Sequence, residues 1–215
     1  MVACGRDTVN WYICTTMIAT APKEARPRGA ARREALLDAV LRVVAEQGVD
    51  AVTHRRVADV AGLPLASTTY WFESKEHLLT AALERAADRD IERLRDFLGE
   101  TPEDTPDPVG LAVRAVLDPT EHAGQSSRGW LLATYALVLE AARRPALREV
   151  TMRWTDAYLD ALAPVLAAAG SQEPRTDAEL LLAAADGLVV EQLASDDESD
   201  LTPRLRRLAD ALVTA

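Results

Sequence analysis

Apolar residues recur along this chain at helical spacing, and polar breaks divide it into a series of amphipathic helices. From Ala31 to Gln47, Leu36, Leu37, Val40, Leu41, Val43 and Val44 fall on one stripe. Gly48 follows, where a helix stop calls for the left-handed conformation. A connector over Asp50–Thr53 leads into two short helices. In the first, Val57, Ala58 and Ala61 share a face, Thr53 stands at the N-cap position, and Gly62 sits where the chain must reverse. Small Ala58 leaves room for a close crossing. The second, Leu65 to Trp71, carries Ser67, Thr68, Thr69 and Tyr70 with almost no bulky aliphatics. A helix that short, with a hydroxyl-rich face, needs a partner for that face.

Ser74-Lys75-Glu76-His77 reads as a capping-box-like start. It opens a long helix, about Lys75 to Leu98, in which Leu78, Leu79, Ala82, Ile91, Leu94 and Leu98 are spaced for burial. Gly99 to Pro108 is rich in Pro, Asp, Glu and Thr and predicts a loop. Four apolar helices follow near Val109–Leu117, Arg128–Arg143, Ala146–Ala169 and Asp177–Leu193, and a last one near Thr202–Val213. Pro119–Ser127 and Ser195–Asp200 are the loops between them, the second holding the solvated acidic cluster Asp196-Asp197-Glu198. No segment alternates like a strand and none repeats, so the expected class is all-α.

With 215 residues, 48% of them hydrophobic, the chain has material for one or two domains and a proper core. Its net charge of −10 is unevenly placed. Residues 1–80 hold ten basic and nine acidic side chains; the remainder holds fourteen and twenty-five. Lys23 to Arg33 alone contains five basic residues and one acidic one. Such an arm suits either phosphate neutralisation or a solubilising tail. The first twenty residues lack the pattern of a secretory signal, and no stretch of about 20 residues is apolar enough to span a bilayer. Cys4 and Cys14 have no Cys or His at ligand spacing, which predicts neither a disulfide framework nor a zinc site. Residues 1–27 are expected to be a flexible extension, with Met17 a second possible start. A cytoplasmic protein is the expectation.

Catalytic chemistry is hard to find. The three histidines, His54, His77 and His122, have no second metal ligand at helical spacing. There is no nucleophile elbow, phosphate loop or dinucleotide fingerprint. No enzyme activity, metal or cofactor is expected.

The segment from about Arg32 to Leu83 resembles the DNA-binding domain of the tetracycline-repressor-like (TetR/AcrR) family of bacterial regulators. The resemblance rests on the apolar helix ending in Gln47-Gly48, then Thr53, Val57-Ala58, Ala61-Gly62, Phe72, Ser74-Lys75-Glu76 and Leu78-Leu79. The family usually carries a Tyr three residues before the Phe; this chain has Thr69 there, with Tyr70 and Trp71 after it. The resemblance implies an N-terminal three-helix helix-turn-helix domain, residues 28–76, and a C-terminal ligand-binding and dimerisation domain, residues 77–215. It implies a recognition helix over Leu65–Trp71 lying in the major groove of double-stranded DNA. On that basis the DNA-contacting set is Arg32, Thr53, His54, Arg55, Arg56, Leu65, Ala66, Ser67, Thr68, Thr69, Tyr70 and Lys75. Ser67, Thr68 and Tyr70 lie nearest bases or phosphates, and Lys75 and the free amides of its helix grip a phosphate. Trp71 and Phe72 are expected in the core.

In the second half, Trp130, Tyr135, Trp154 and Tyr158 lie on two successive apolar helices, where amphipathic aromatics suit either a core or a cavity for a largely apolar or aromatic small molecule. Glu140, Asp186 and Gln192 are polar positions in apolar runs and could orient such a ligand; His122 and Gln125 are weaker candidates. The family pattern implies a homodimer through the helices near 146–169 and 177–193, where Leu181, Ala184, Ala185 and Leu188 share a stripe. The expected whole is a homodimeric repressor that binds a pseudo-palindromic operator and is released by a small-molecule effector. The alternatives are a ligand-binding protein that has lost DNA recognition, and a helical enzyme.

Overall fold

The computed structural model describes residues 29–101, 105–117, 127–195 and 199–214. The basic arm before Gly29, both cysteines, Met17, His122, Gln125 and the acidic cluster at 196–198 lie outside the described residues. All regular structure among those described is helical: α1 Gly29–Gln47, α2 His54–Ala61, α3 Leu65–Trp71, α4 Lys75–Gly99, α5 Pro108–Leu117, α6 Ser127–Glu140, α7 Pro145–Ala168, α8 Pro174–Ser195 and α9 Thr202–Thr214.

The stops and starts have local causes. Gly48 takes a φ of 81° after α1, and its N–H donates to the Val44 carbonyl at 2.9 Å. The expected connector contains a 3₁₀ turn, Val49–Ala51. The Thr53 hydroxyl accepts from the Arg56 N–H at 3.1 Å, capping α2, and Ser74 does the same for α4 from the His77 N–H at 3.1 Å. Gly62 ends α2 at φ 65°, and Leu63 N–H reaches back to the Ala58 carbonyl at 3.0 Å. That is the glycine stop expected between the two short helices. Elsewhere the boundaries move. α6 ends at Glu140 rather than Arg143, and past it the chain closes tighter three-residue turns, with Ala142 N–H on the Leu139 carbonyl at 3.3 Å and Arg143 N–H on the Glu140 carbonyl at 2.9 Å. α8 begins at Pro174 rather than Asp177, since proline fits a first helical turn, where no N–H is needed.

Two cores are built from these helices. The first joins Leu36, Leu37, Val40 and Val44 of α1 to Val57, Phe72, Leu78, Leu79 and Leu83, and it also takes in Ala133, Leu137 and Ala141 from α6 and its end. α6 packs along α1, so the N-terminal core extends past the helix-turn-helix. The second core joins Leu94 of α4 to α5, α7, α8 and α9 through Val113, Leu159, Leu162, Leu166, Leu181 and Leu205. Trp154 of α7 packs against both. α4 runs between them and packs mainly on α7.

One ion cluster clamps α4 to α1. Arg85 is almost fully buried, and its guanidinium donates to Asp38 through two nitrogens at 2.5 and 3.0 Å and to Glu34 through Nε. Arg89 stands 3.6 and 3.7 Å from the same two carboxylates. Bidentate geometry of this kind suits arginine alone. Removing a buried guanidinium leaves two carboxylates facing each other across a partly dry contact. Arg85→Ala is expected to lower unfolding stability by about 2 kcal/mol, read as an earlier urea midpoint at unchanged slope. An unchanged midpoint would show that the cluster is held by solvent-exposed charge alone.

Candidate functional site

α3 is seven residues long and offers two faces. Inward lies Thr68, fully buried, its hydroxyl donating to the Leu65 carbonyl at 2.7 Å and to the His54 carbonyl at 3.4 Å. Thr68 was expected beside the bases; it is instead the peg that joins α3 to α2, and no atom of it is left for an outside partner. The hydroxyl-rich run looked uniform in sequence, but a helix must spend one face on its own domain. Outward lie Leu65, Ala66, Thr69 and Tyr70, with Tyr70 at 77% exposure. Ser67 is half-buried. Trp71 packs against the start of α1 near Gly29 and meets Tyr70 edge-on at 4.9 Å, while Phe72 is buried as expected.

The flank of this face is cationic. Arg55 and Arg56 are exposed on the first turn of α2, and neither guanidinium has an ion-pair partner among the described residues. Thr53 is exposed but occupied as the α2 cap, and His54 is half-buried with Nδ1 buried and unbonded. Arg32 is half-buried on α1, its Nε likewise buried without a partner. Lys75, at the first residue of α4, donates to the Asp50 carbonyl at 3.1 Å and stands 3.9 Å from the fully exposed Asp50 carboxylate.

A second site opens between α4, α5, α6, α7 and α8. It is a cavity of about 200 Å³ lined by Trp130, Tyr135, Trp154, Tyr158 and Asp186, together with Asp90, Arg93, Thr134, Thr151 and several aliphatics. Trp130 and Trp154 meet edge-to-face at 6.0 Å. Asp90, buried, accepts from Trp154 Nε1 at 3.0 Å, from the Tyr158 hydroxyl at 2.7 Å and from Arg93 Nε at 3.0 Å. Arg93 also donates to the Tyr158 oxygen at 2.8 Å. Burial, and then the Asp90 charge, pushes the Tyr158 hydroxyl far above the ordinary phenol range. At the open side Tyr135 donates to Asp186 at 2.9 Å. Burial raises Tyr135 in the same way, and it raises the Asp186 carboxyl too, with the tyrosine hydrogen bond offsetting part of the shift.

Sequence reasoning missed Asp90 and Arg93, which in a helix of alternating charges look like surface residues. Only their 64- to 68-residue separation from Trp154 and Tyr158, closed by the α4–α7 crossing, makes them part of the site. Two expected ligand positions fall elsewhere. Glu140 lies at the far end of α6, where it accepts from Arg144 Nε at 2.9 Å and faces Gln47, Gly48 and Asp50 across a cleft; ten residues of helix, about 15 Å, separate it from Trp130. The Arg144 hydrogen bond holds its carboxyl below the usual range. Gln192 donates to the Ser199 carbonyl and ties down the end of α8.

α8 also carries two apolar stripes. Leu181 and Ala185, expected on a dimer surface, are buried in the chain's own second core. The outward stripe is Leu180, Ala183, Gly187 and Val190, with Leu180 and Val190 about half exposed. A Cβ built on Gly187 would meet nothing within 4 Å. Among the described residues no group of His, Cys, Asp and Glu has metal-site geometry, and no helix is long and apolar enough to cross a membrane.

Comparison with known proteins agrees with this layout. Residues 36–82 match the family described as bacterial regulatory proteins, tetR family, and residues 107–215 match the tetracyclin repressor-like C-terminal domain. The HTH-type transcriptional regulator BetI of Rhizobium meliloti (strain 1021) is 48% identical over 52 residues, which is 24% of this chain and 26% of that one. The nicotine-responsive transcriptional repressor HdnoR of Paenarthrobacter nicotinovorans is 27% identical over 191 residues, 86% of this chain and 93% of its own length. The multidrug binding protein EbrR, solved with ethidium, superposes with a TM-score of 0.64 at 30% identity, covering 84% of this chain and 98% of that structure. With both halves matched and the helix-turn-helix and helical C-terminal domain both present, the chain belongs to the TetR family of helix-turn-helix transcriptional regulators.

Proposed function

We propose that this chain is a cytoplasmic, homodimeric repressor that holds a pseudo-palindromic operator through the outer faces of two α3 helices and releases it when a small molecule fills the aromatic cavity. The observation that carries this reading is α6. One face of that single helix lines the cavity with Trp130, Leu131, Thr134, Tyr135 and Val138, and the other buries Ala133 and Leu137 against the core of the helix-turn-helix. A ligand that displaces α6 therefore displaces the support of α1. Packed cores shift between discrete arrangements rather than deforming smoothly, so the movement would pass to α3. The coupling is reciprocal: an effector that weakens operator binding is itself held less tightly by the DNA complex.

For the DNA face, Thr69 and Tyr70 are the side chains free to reach a groove, Arg55, Arg56 and Lys75 the ones placed for phosphates, and Thr68 is a structural residue. Half-sites about one helical turn apart suit a dimer. The α8 stripe supports that assembly. A glycine in mid-helix costs about 1 kcal/mol relative to alanine. No packing among the described residues explains Gly187, and a crossing helix from a second copy would.

The test is fluorescence anisotropy of the purified protein on the DNA upstream of its own gene, across a salt series. Saturation at one dimer per half-site pair, with affinity falling steeply in salt, is the expected result; no preference over random DNA would favour a ligand-binding protein without DNA recognition. Lys75→Ala should weaken binding about tenfold on every sequence and lower the salt slope by about one, whereas Tyr70→Ala should weaken the operator more than random DNA. Equal losses for both substitutions would misplace Tyr70.

The dimer surface has its own signature. Gly187→Ala should raise the stability of the isolated fold by about 1 kcal/mol, and Gly187→Phe should leave that fold intact while shifting the protein to monomer in sedimentation velocity. A Gly187→Phe protein that stays dimeric would move the interface off α8.

A further inference from the structure

The cavity holds two carboxylates, and the fold treats them differently. Asp90 is satisfied from within: Arg93 supplies a positive charge, with Oδ1 and the guanidinium 3.0 Å apart, and Trp154 and Tyr158 donate to Oδ2. Its charge is neutralised before any ligand arrives. Asp186 has one partner, the Tyr135 hydroxyl at 2.9 Å, and that donor is neutral. Among the described residues the one guanidinium lining the cavity, that of Arg93, is engaged with Asp90 and Tyr158. Among the described residues the lining therefore carries one carboxylate more than it carries cations, and the surplus sits at the open side, where its side chain still reaches water.

A ligand that enters must take the place of that water. A neutral ligand would strip solvent from the carboxylate and return at most a hydrogen bond, with no countercharge, which is costly for a charge. A cation would replace the lost solvation with an ion pair. The rest of the lining suits the same guest. The two indoles, Trp130 and Trp154, and the Tyr135 ring all line the space, and aromatic rings of this kind are the side chains that attract an organic cation most strongly.

We propose that the effector is an aromatic or otherwise flat organic cation, its positive centre set against the Asp186 carboxylate and its rings against Trp130 and Trp154. This rests on the reading of the cavity as the effector site. Tyr135 orients the carboxylate through the 2.9 Å hydrogen bond, and a bound cation would offset with its charge the desolvation that raises the carboxyl above its usual range.

The probes are acridine and N-methylacridinium, which share one ring system and differ in a permanent charge, used at mildly alkaline pH where acridine is neutral. Each is titrated into the full chain without DNA, following tryptophan quenching and heat. The proteins compared are the unsubstituted chain, Asp186→Asn, Trp130→Ala, and Asp96→Asn, which removes an exposed carboxylate of α4 outside the cavity. The unsubstituted chain should hold the cation about tenfold more tightly than the neutral ring. Asp186→Asn should abolish that preference without weakening acridine, and Asp96→Asn should preserve it. Equal affinities in the unsubstituted chain, or a preference that survives Asp186→Asn, overturns the cation assignment while binding that still needs Trp130 upholds the cavity. Binding indifferent to Trp130→Ala, or no binding of either probe, overturns the cavity reading and this inference with it.

Discussion

The packing of α6 between α1 and the cavity is the constraint on which the rest of this structure depends. A helix of 14 residues spans about 21 Å, enough to line a ligand site on one face and brace the helix-turn-helix core on the other. Its residues divide by face: Trp130, Tyr135 and Val138 turn to the cavity, Ala133 and Leu137 to α1. Small Ala133 sits fully buried, which lets the two helices approach closely. One face of α6 is packed on α1 and the other lines an open cavity, so α6 can move toward the cavity only by opening a void beside α1, and a void in a packed core costs several kcal/mol for a large side chain. Trp154 repeats the arrangement on α7, touching both cores and donating to Asp90 on α4. At the cavity, polar bonds tie α4 to α7 through Asp90 and Arg93, and α6 to α8 through Tyr135 and Asp186. That is where a guest can add contacts without first displacing them.

The elements were legible in the sequence to the extent that local physics decides them. The α1 stripe, the Thr53 and Ser74 caps, the Gly62 reversal and the span of α3 depend on residues within a turn or two of each other, and the structure has them as the pattern implied. What the sequence left open is which way a face points. Thr68 and Thr69 are adjacent threonines, and one is fully buried while the other is exposed. Leu180 and Leu181 are adjacent leucines on α8, one half exposed and one in the core. In each pair the composition is the same and the neighbouring helix decides. Glu140 was misplaced for a related reason: its polar character in an apolar run was visible, but its distance along the helix axis from the aromatics outweighs that signal. Asp90 and Arg93 were invisible because their partners lie a whole helix pair away in sequence.

The electrostatics of the head explain how an acidic protein can hold DNA. The negative excess belongs to the residues after 80, while the α2 flank presents Arg55 and Arg56 without ion-pair partners among the described residues. Screening limits the reach of the distant carboxylates to about 10 Å at moderate salt, so local cations govern the contact. Lys75 is the telling case. In the free protein it is held by the Asp50 carbonyl and a fully exposed carboxylate at 3.9 Å. An exposed pair of that length contributes about 0–1 kcal/mol. A phosphate oxygen offers a full charge and a shorter, charge-assisted bond, so the exchange favours DNA. Asp50 also lies across the cleft from Glu140 and the end of α6. Lys75 is thus parked on the same turn that meets the end of α6, so in the proposed reading a shift of α6 would act on the phosphate contact and on the α1 support together.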